Sequence, residues 1–148
     1  AATETGLITD LDEIYSVGSF AQIHNLTPLA GSTGAQLMLL AHRRISIKSL
    51  LEQGPPLRLH VEHLHNQRHD PNNDMIKAYC NEIMSVLRDV VQLNPLFKEH
   101  MQYFAQRIDV TDPHKLADFA ASVTTADAAE LQRVLEEPDV EKRLNLVE

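Results

Sequence analysis

The chain has 148 residues, a formal net charge of −8, 43% hydrophobic and 23% charged residues, and a single cysteine. These are globular proportions, in a length that supports one ordinary domain or two small lobes with a real core. They exclude a disulfide framework, a dedicated nucleic-acid binder is a poor fit to so acidic a total, and no apolar run approaches the roughly 20 residues that cross a bilayer.

The charge is unevenly spread. Residues 109–148 hold ten acids and four bases, whereas residues 43–68 hold five bases and two acids, so the two halves carry opposite local signs. The first residues show neither a basic and apolar signal sequence nor an Arg-rich leader, so no targeting segment is expected there.

In chain order, residues 20–26 and 36–49 are rich in apolar and β-branched side chains, and Pro28-Leu29-Ala30-Gly31-Ser32-Thr33-Gly34 between them has the chemistry of a hairpin connection. An antiparallel pair is expected. Leu37, Leu39, Ala41, Ile45 and Ile47 share one parity while Met38 and Leu40 add apolar bulk on the other, which predicts a second strand covered on both faces. Gln53-Gly54-Pro55-Pro56 then turns the chain into a third strand. Leu57, Leu59 and Val61 alternate there with Arg58, His60 and Glu62, the pattern of a half-buried strand.

The hydrophobic period changes near Asp70-Pro71-Asn72-Asn73, the expected boundary between a β-rich lobe over residues 1–70 and a helical lobe over residues 71–148. Ile76, Cys80, Ile83, Leu87, Val90 and Val91 mark an amphipathic helix of about five turns, with Cys80 packed as a buried reduced thiol. Asn94-Pro95 opens a second helix, with Phe97, Met101, Phe104 and Ile108 on its apolar face, and Asp112-Pro113 opens a third that buries Leu116, Phe119, Ala120 and Val123. Thr124 and Asp127 both suit the first turn of a fourth helix containing Leu131, Val134 and Leu135. After Pro138-Asp139 a fifth carries Val140, Leu144 and Val147 up to the last residue, without a stop signal.

Chemistry-bearing patterns are few. The run from His60 to His69 holds four further candidate ligands in Glu62, His63, His65 and His69, yet along a strand His63 and His65 share one face and His60 and Glu62 the other. Histidines at a strand end are therefore favoured over a metal centre. Gly31-Ser32-Thr33-Gly34 lacks the lysine of a phosphate-binding loop and sits in a turn. No acid-base pair and no activated serine is recognisable, and Asn25-Leu26-Thr27, although a formal glycosylation acceptor, is a pattern common by chance. Arg43 and Arg44, as strand neighbours, face opposite sides, so one is expected to brace the interior.

Val17-Gly18-Ser19-Phe20-Ala21-Gln22-Ile23-His24 and Leu37-Met38-Leu39-Leu40-Ala41-His42-Arg43-Arg44-Ile45-Ser46-Ile47 together resemble two neighbouring strands of the N-terminal substrate-binding domain of the Lon protease family, in its mitochondrial branch. The likeness continues through Ile83-Met84-Ser85-Val86-Leu87-Arg88-Asp89-Val90-Val91, Leu93-Asn94-Pro95-Leu96-Phe97, and Glu130-Leu131-Gln132-Arg133-Val134-Leu135-Glu136-Glu137 with Lys142-Arg143-Leu144. It covers residues 13 to 148. One departure is Ala41, where the family usually has glycine.

The resemblance implies an α+β fold: a small, mostly antiparallel β lobe of the PUA-like, LON N-terminal type, followed by an α-helical bundle lobe. Such domains usually open with a proline-rich strand that residues 1–12 lack, so an excerpt of a larger protein is expected, its last helix continuing toward an ATPase domain. The implied parent is an ATP-dependent serine protease acting as a homohexameric ring in the mitochondrial matrix, with peroxisome or plastid as alternatives. ATP and magnesium belong to that parent; this segment is expected to hold no catalytic, cofactor or metal residue.

Its partners would be unfolded or damaged proteins and the other copies in the ring. Joining the two lobes at Asp70-Pro71 is expected to leave a groove suited to extended, sticky peptides, and the candidate substrate-binding residues are the aromatic and soft side chains Phe20, Phe97, Met101, Tyr103 and Phe104, together with Arg44. The other readings are a stand-alone or cereblon-like ubiquitin-ligase recognition module without protease activity and, last, hydrolysis at the histidine run.

Overall fold

The computed structural model describes residues 8, 10–31, 33–54, 56–93, 98 and 108–148. The fold is α+β, a three-stranded antiparallel sheet and four helices among the described residues. Contacts divide the chain into two compact units, Ala1–His65 and Asn66–Glu148.

In the first unit a short 3-10 turn, Leu11–Glu13, is capped by Asp10, whose carboxylate accepts from the Asp12 N–H at 3.1 Å. The strands are β1 (Val17–Pro28), β2 (Ala35–Glu52) and β3 (Arg58–His63), in the order β1-β2-β3. The hairpin between β1 and β2 closes where the Leu29 N–H donates to the Gly34 carbonyl at 3.0 Å. Gly31 supplies the turn's positive φ of 80°, a conformation that costs glycine little.

The register pairs Phe20 with Arg43, Ala21 with Ala41, Ile23 with Leu39 and Leu26 with Leu37. It shifts between Phe20 and Ala21 and again between Ile23 and Asn25. Each irregularity inserts one residue on one side of the ladder and re-aims the side chains beyond it. β3 pairs with the second half of β2, Ile45 opposite His63 and Ile47 opposite Val61. Along β3, Leu59 and Val61 are half-buried and Arg58, His60 and Glu62 exposed, as the alternation predicts. For β2 the expected cover on both faces is not found: Leu37, Met38, Leu39 and Leu40 are all exposed. Apolar parity records what a strand face is suited to meet, and the described residues place nothing over either face here.

The second unit contains α1 (Asp74–Leu93), α2 (Pro113–Val123), α3 (Ala128–Glu136) and α4 (Val140–Val147). Its core is one cluster of Ile76, Ile83 and Leu87 from α1, Leu116, Ala117, Phe119 and Ala120 from α2, and Val140 and Leu144 from α4. Ile108 and Val110 pack against it. Cys80, expected buried, is half-buried at the margin of the cluster; partial burial pushes its thiol up, toward an unreactive reduced form. The expected helix after Asn94-Pro95, with Phe97, Met101 and Phe104, lies outside the described residues. Among the described residues no helix is long and apolar enough to cross a membrane.

Caps fix where the helices start. Asp112 accepts from the His114 N–H at 3.0 Å with Pro113 in the first turn of α2, and Asp139 accepts from the Lys142 N–H at 3.1 Å at the head of α4. Thr124 takes a different place from the one its spacing suggests. Its hydroxyl donates to the Ala121 carbonyl at 2.9 Å and finishes α2, which leaves Asp127 to open α3. Asp127 accepts from the Glu130 N–H at 2.9 Å while Glu130 accepts from the Asp127 N–H at 3.1 Å, a reciprocal capping box. Asp127→Ala is expected to lower the unfolding free energy by about 1 kcal/mol, read as a lower urea midpoint at unchanged slope.

Candidate peptide-binding surface

The sheet's chemistry follows from its register. Cα partners share a face, so Ala21, Ile23 and Leu26 of β1 lie beside Ala41, Leu39 and Leu37 of β2 on one side of the ribbon. Within that group Ile23, Leu26, Leu37 and Leu39 are between 47% and 66% exposed. Isolated exposed leucines need no explanation, but four large apolar side chains contiguous across two strands do. The opposite face is mixed: Met38 and Leu40 stand with Gln22 and Asn25, and the Gln22 amide oxygen meets His42 Nε2 at 3.3 Å.

Backbone edges add a second capacity. β3 covers β2 only from Ile45 to Glu52. Over residues 35–43 β2 has β1 on one side and no described strand on the other, and the outer edge of β1 has none along its length. Such edges carry N–H and C=O groups able to template another extended chain.

Phe20 lies where the ribbon meets the three-stranded part. It is about half exposed, its ring 5.9 Å edge-on from that of His63 and 6.4 Å from that of His42. Arg44 is half-buried and Arg43 exposed; the Arg44 carbonyl accepts from the Leu64 N–H at 2.9 Å, so the backbone here closes the end of β3. Phe20 and Arg44 thus belong to the same sheet. Phe97, Met101, Tyr103 and Phe104 lie outside the described residues.

The histidine run is divided by its surroundings. His63 packs on Phe20, His60 and His65 are exposed, and His69 lies against His114 in the second unit. Among the described residues no three histidine, cysteine or carboxylate side chains come together as a metal site would require. Lys48, 2.8 Å from Glu62, holds that carboxyl below its ordinary value by hydrogen bond and charge; both groups are in water, so the pair adds little stability.

Among the described residues, concavities of the helical unit include two of contrasting chemistry. A polar depression of about 620 Å³ is lined by Tyr79, Arg133, Glu136, Glu141 and Lys142. An apolar groove of about 390 Å³ is lined by Ile83, Val86, Leu87, Val90, Ala120 and Val123, a size and chemistry suited to one or two apolar side chains.

Sequence reading missed the buried polar centre of this unit. Arg143 is fully enclosed, and its guanidinium donates twice to the Glu137 carbonyl, at 2.8 and 2.5 Å, and reaches Asn66 Oδ1 at 3.4 Å and Asp118 at 3.5 Å. A signal did exist: Arg143 sits three residues after Val140, on the apolar face of α4.

A three-stranded antiparallel sheet whose outer edges carry no described partner strand, followed in sequence by a capped helical unit, makes an α+β protein. Residues 3–148 match the ATP-dependent protease La (LON) substrate-binding domain, and the chain belongs to that family. It is 47% identical over 140 residues to the mitochondrial Lon protease homolog of Phaeodactylum tricornutum, covering 94% of this chain and 16% of that protein. With the mitochondrial homolog of Ostreococcus lucimarinus it shares 43% over 140 residues, covering 90% and 15%. The N-terminal domain of Mycobacterium avium complex Lon protease superposes with a TM-score of 0.69 at 29% identity, over 99% of this chain and 77% of that one. The family expected from the five matching segments is thus the one found, and the chain spans only about one-sixth of these curated relatives.

Proposed function

We propose that this chain is the substrate-recognition end of an ATP-dependent serine protease of Lon type, which captures unfolded or damaged polypeptide and delivers it to a hexameric ATPase and protease ring in the mitochondrial matrix. The observation that carries the reading is the coincidence, on one ribbon, of a contiguous apolar face and strand edges that have no partner strand among the described residues. Most folded proteins expose few contiguous apolar runs and cover or blunt their strand edges; an unfolded chain exposes both apolar side chains and unpaired backbone. An extended segment laid along β1, or along residues 35–43 of β2, would gain backbone hydrogen bonds that do not depend on sequence, while Ile23, Leu26, Leu37 and Leu39 favour apolar side chains. Phe20 and Arg44 stand on the same sheet and, with Phe97, Met101, Tyr103 and Phe104, are the proposed substrate contacts.

Support for the compartment comes from the mitochondrial relatives, and support for the parent activity from their being Lon proteases. In this reading ATP, magnesium and the catalytic residues of the protease act elsewhere in the parent protein. The test is binding of a fluorescent, permanently unfolded protein to the chain and to the double variant Ile23→Glu/Leu39→Glu. Two carboxylates on the apolar face should weaken binding about tenfold or more while the helical unit's urea midpoint stays put. Unchanged affinity in a folded double variant would refute the assignment.

A further inference from the structure

His114 is the second residue of α2 and only 5% exposed. Its Nε2 lies 3.2 Å from the Gln67 carbonyl, which accepts a hydrogen bond if the proton is on Nε2, and its Nδ1 is enclosed without a partner. The His69 ring packs edge-on against it, centroids 5.5 Å apart. Two neighbouring contacts hold the same short stretch: the Gln67 N–H donates to the Pro138 carbonyl at 3.4 Å, and Asn66 accepts from Arg143. Residues 66–69, the first of the helical unit, are therefore fastened by one imidazole, one guanidinium and one backbone bond.

We propose that His114 is a proton-operated latch on residues 66–69: the neutral imidazole holds the segment against the helical unit, and a proton on Nδ1 releases it. Protonation would place a new N–H donor where no acceptor lies among the described residues, and a positive charge near the Arg143 guanidinium. It would also set that charge in the first turn of α2, at the positive end of the helix dipole. Other groups facing the ring are His69, which opposes the charge, and the Asp112 carboxylate, which favours it. Asp112 already accepts from the His114 backbone and lies 3.9 Å from Lys115, and Asp118 is engaged by Arg143.

The balance is unfavourable to the imidazolium. Burial first, then Arg143, holds His114 below the ordinary histidine value of 6.5. Between that folded-state value and 6.5 the released form binds more protons than the latched one. The latch is therefore at full strength above about pH 6.5 and weakens as the pH falls from there. Release adds slack chain immediately after His65, the last residue of the first unit.

Amide hydrogen exchange on the intact chain tests this. After correction for the intrinsic rate, protection at Gln67 should fall at least about threefold between pH 7.5 and 5.0, while Phe119 and Ala120 inside α2 keep theirs. In H114Q, which retains a donor for the Gln67 carbonyl but does not titrate, the step should vanish. Nitrogen NMR at pH 7.5 should find the His114 proton on Nε2. A Gln67 profile flat in the native chain, retained in H114Q or shared with the interior of α2 would overturn the proposal, as would a proton on Nδ1.

Discussion

Arg143→Ala is expected to destabilise the helical unit by about 3 kcal/mol, lowering its melting temperature by more than about 10 °C. The change strips the Glu137 carbonyl of two donors and leaves Asn66 and Asp118 without the guanidinium. It also opens a void at a site with no access to solvent. α3 ends at Glu136, so the Glu137 carbonyl is one of the groups a helix terminus leaves without an intrahelical partner, and Arg143 supplies it from the next helix. Arg143→Lys should recover little of the loss, because an ammonium is a point donor that cannot reproduce a planar fork reaching three partners. Urea unfolding followed by circular dichroism checks both variants. A midpoint for Arg143→Ala within experimental error of the native chain would show that the guanidinium only fills space.

Leu116→Ala should cost a similar amount, about 3 kcal/mol, by a different mechanism. Leu116 is fully buried in the cluster that joins α1, α2 and α4, so truncation removes apolar transfer energy and leaves a cavity that rigid helices close only in part. Polar truncation and apolar truncation are separable by rescue. Leu116→Met should restore most of the stability, since volume is nearly conserved. The urea midpoints of Leu116→Ala and Leu116→Met, measured at constant slope, decide whether packing accounts for the effect. In neither case should the sheet's affinity for an unfolded chain change much, because both residues lie in the helical unit.

How much of this was legible beforehand depends on the physics of each element. Period, caps and turn residues revealed the three strands and the helices opened by Asp112-Pro113 and Pro138-Asp139, because these are local signals between near neighbours. The two register shifts in β1 and β2 were invisible. A bulge depends on how two strands fit across the ladder, and no residue in either strand announces it. The apolar character of residues 37–40 was plain, but the inference that something covers both faces went beyond what a pattern contains. Sequence likewise marked Phe20 and Arg44 as candidates without revealing that His42 and His63 would flank the Phe20 ring. The pairing of His114 with Gln67 joins positions 47 residues apart and leaves no trace in either local sequence.

The unequal lengths of the strands carry a consequence for what can be recognised. β2 runs for 18 residues and β3 for 6, and β3 pairs from Ile45 onward. The stretch of β2 over residues 35–43, which has no described strand on its outer side, is therefore about 30 Å of backbone at strand rise. A guest strand there would turn every second side chain toward the Leu37 and Leu39 face, leaving the residues between them unread. Specificity of that kind is a rhythm rather than a word: about four apolar residues at alternate positions would satisfy it, whatever lies between, and a large fraction of buried β-strands in other proteins carry such a rhythm once they have unfolded.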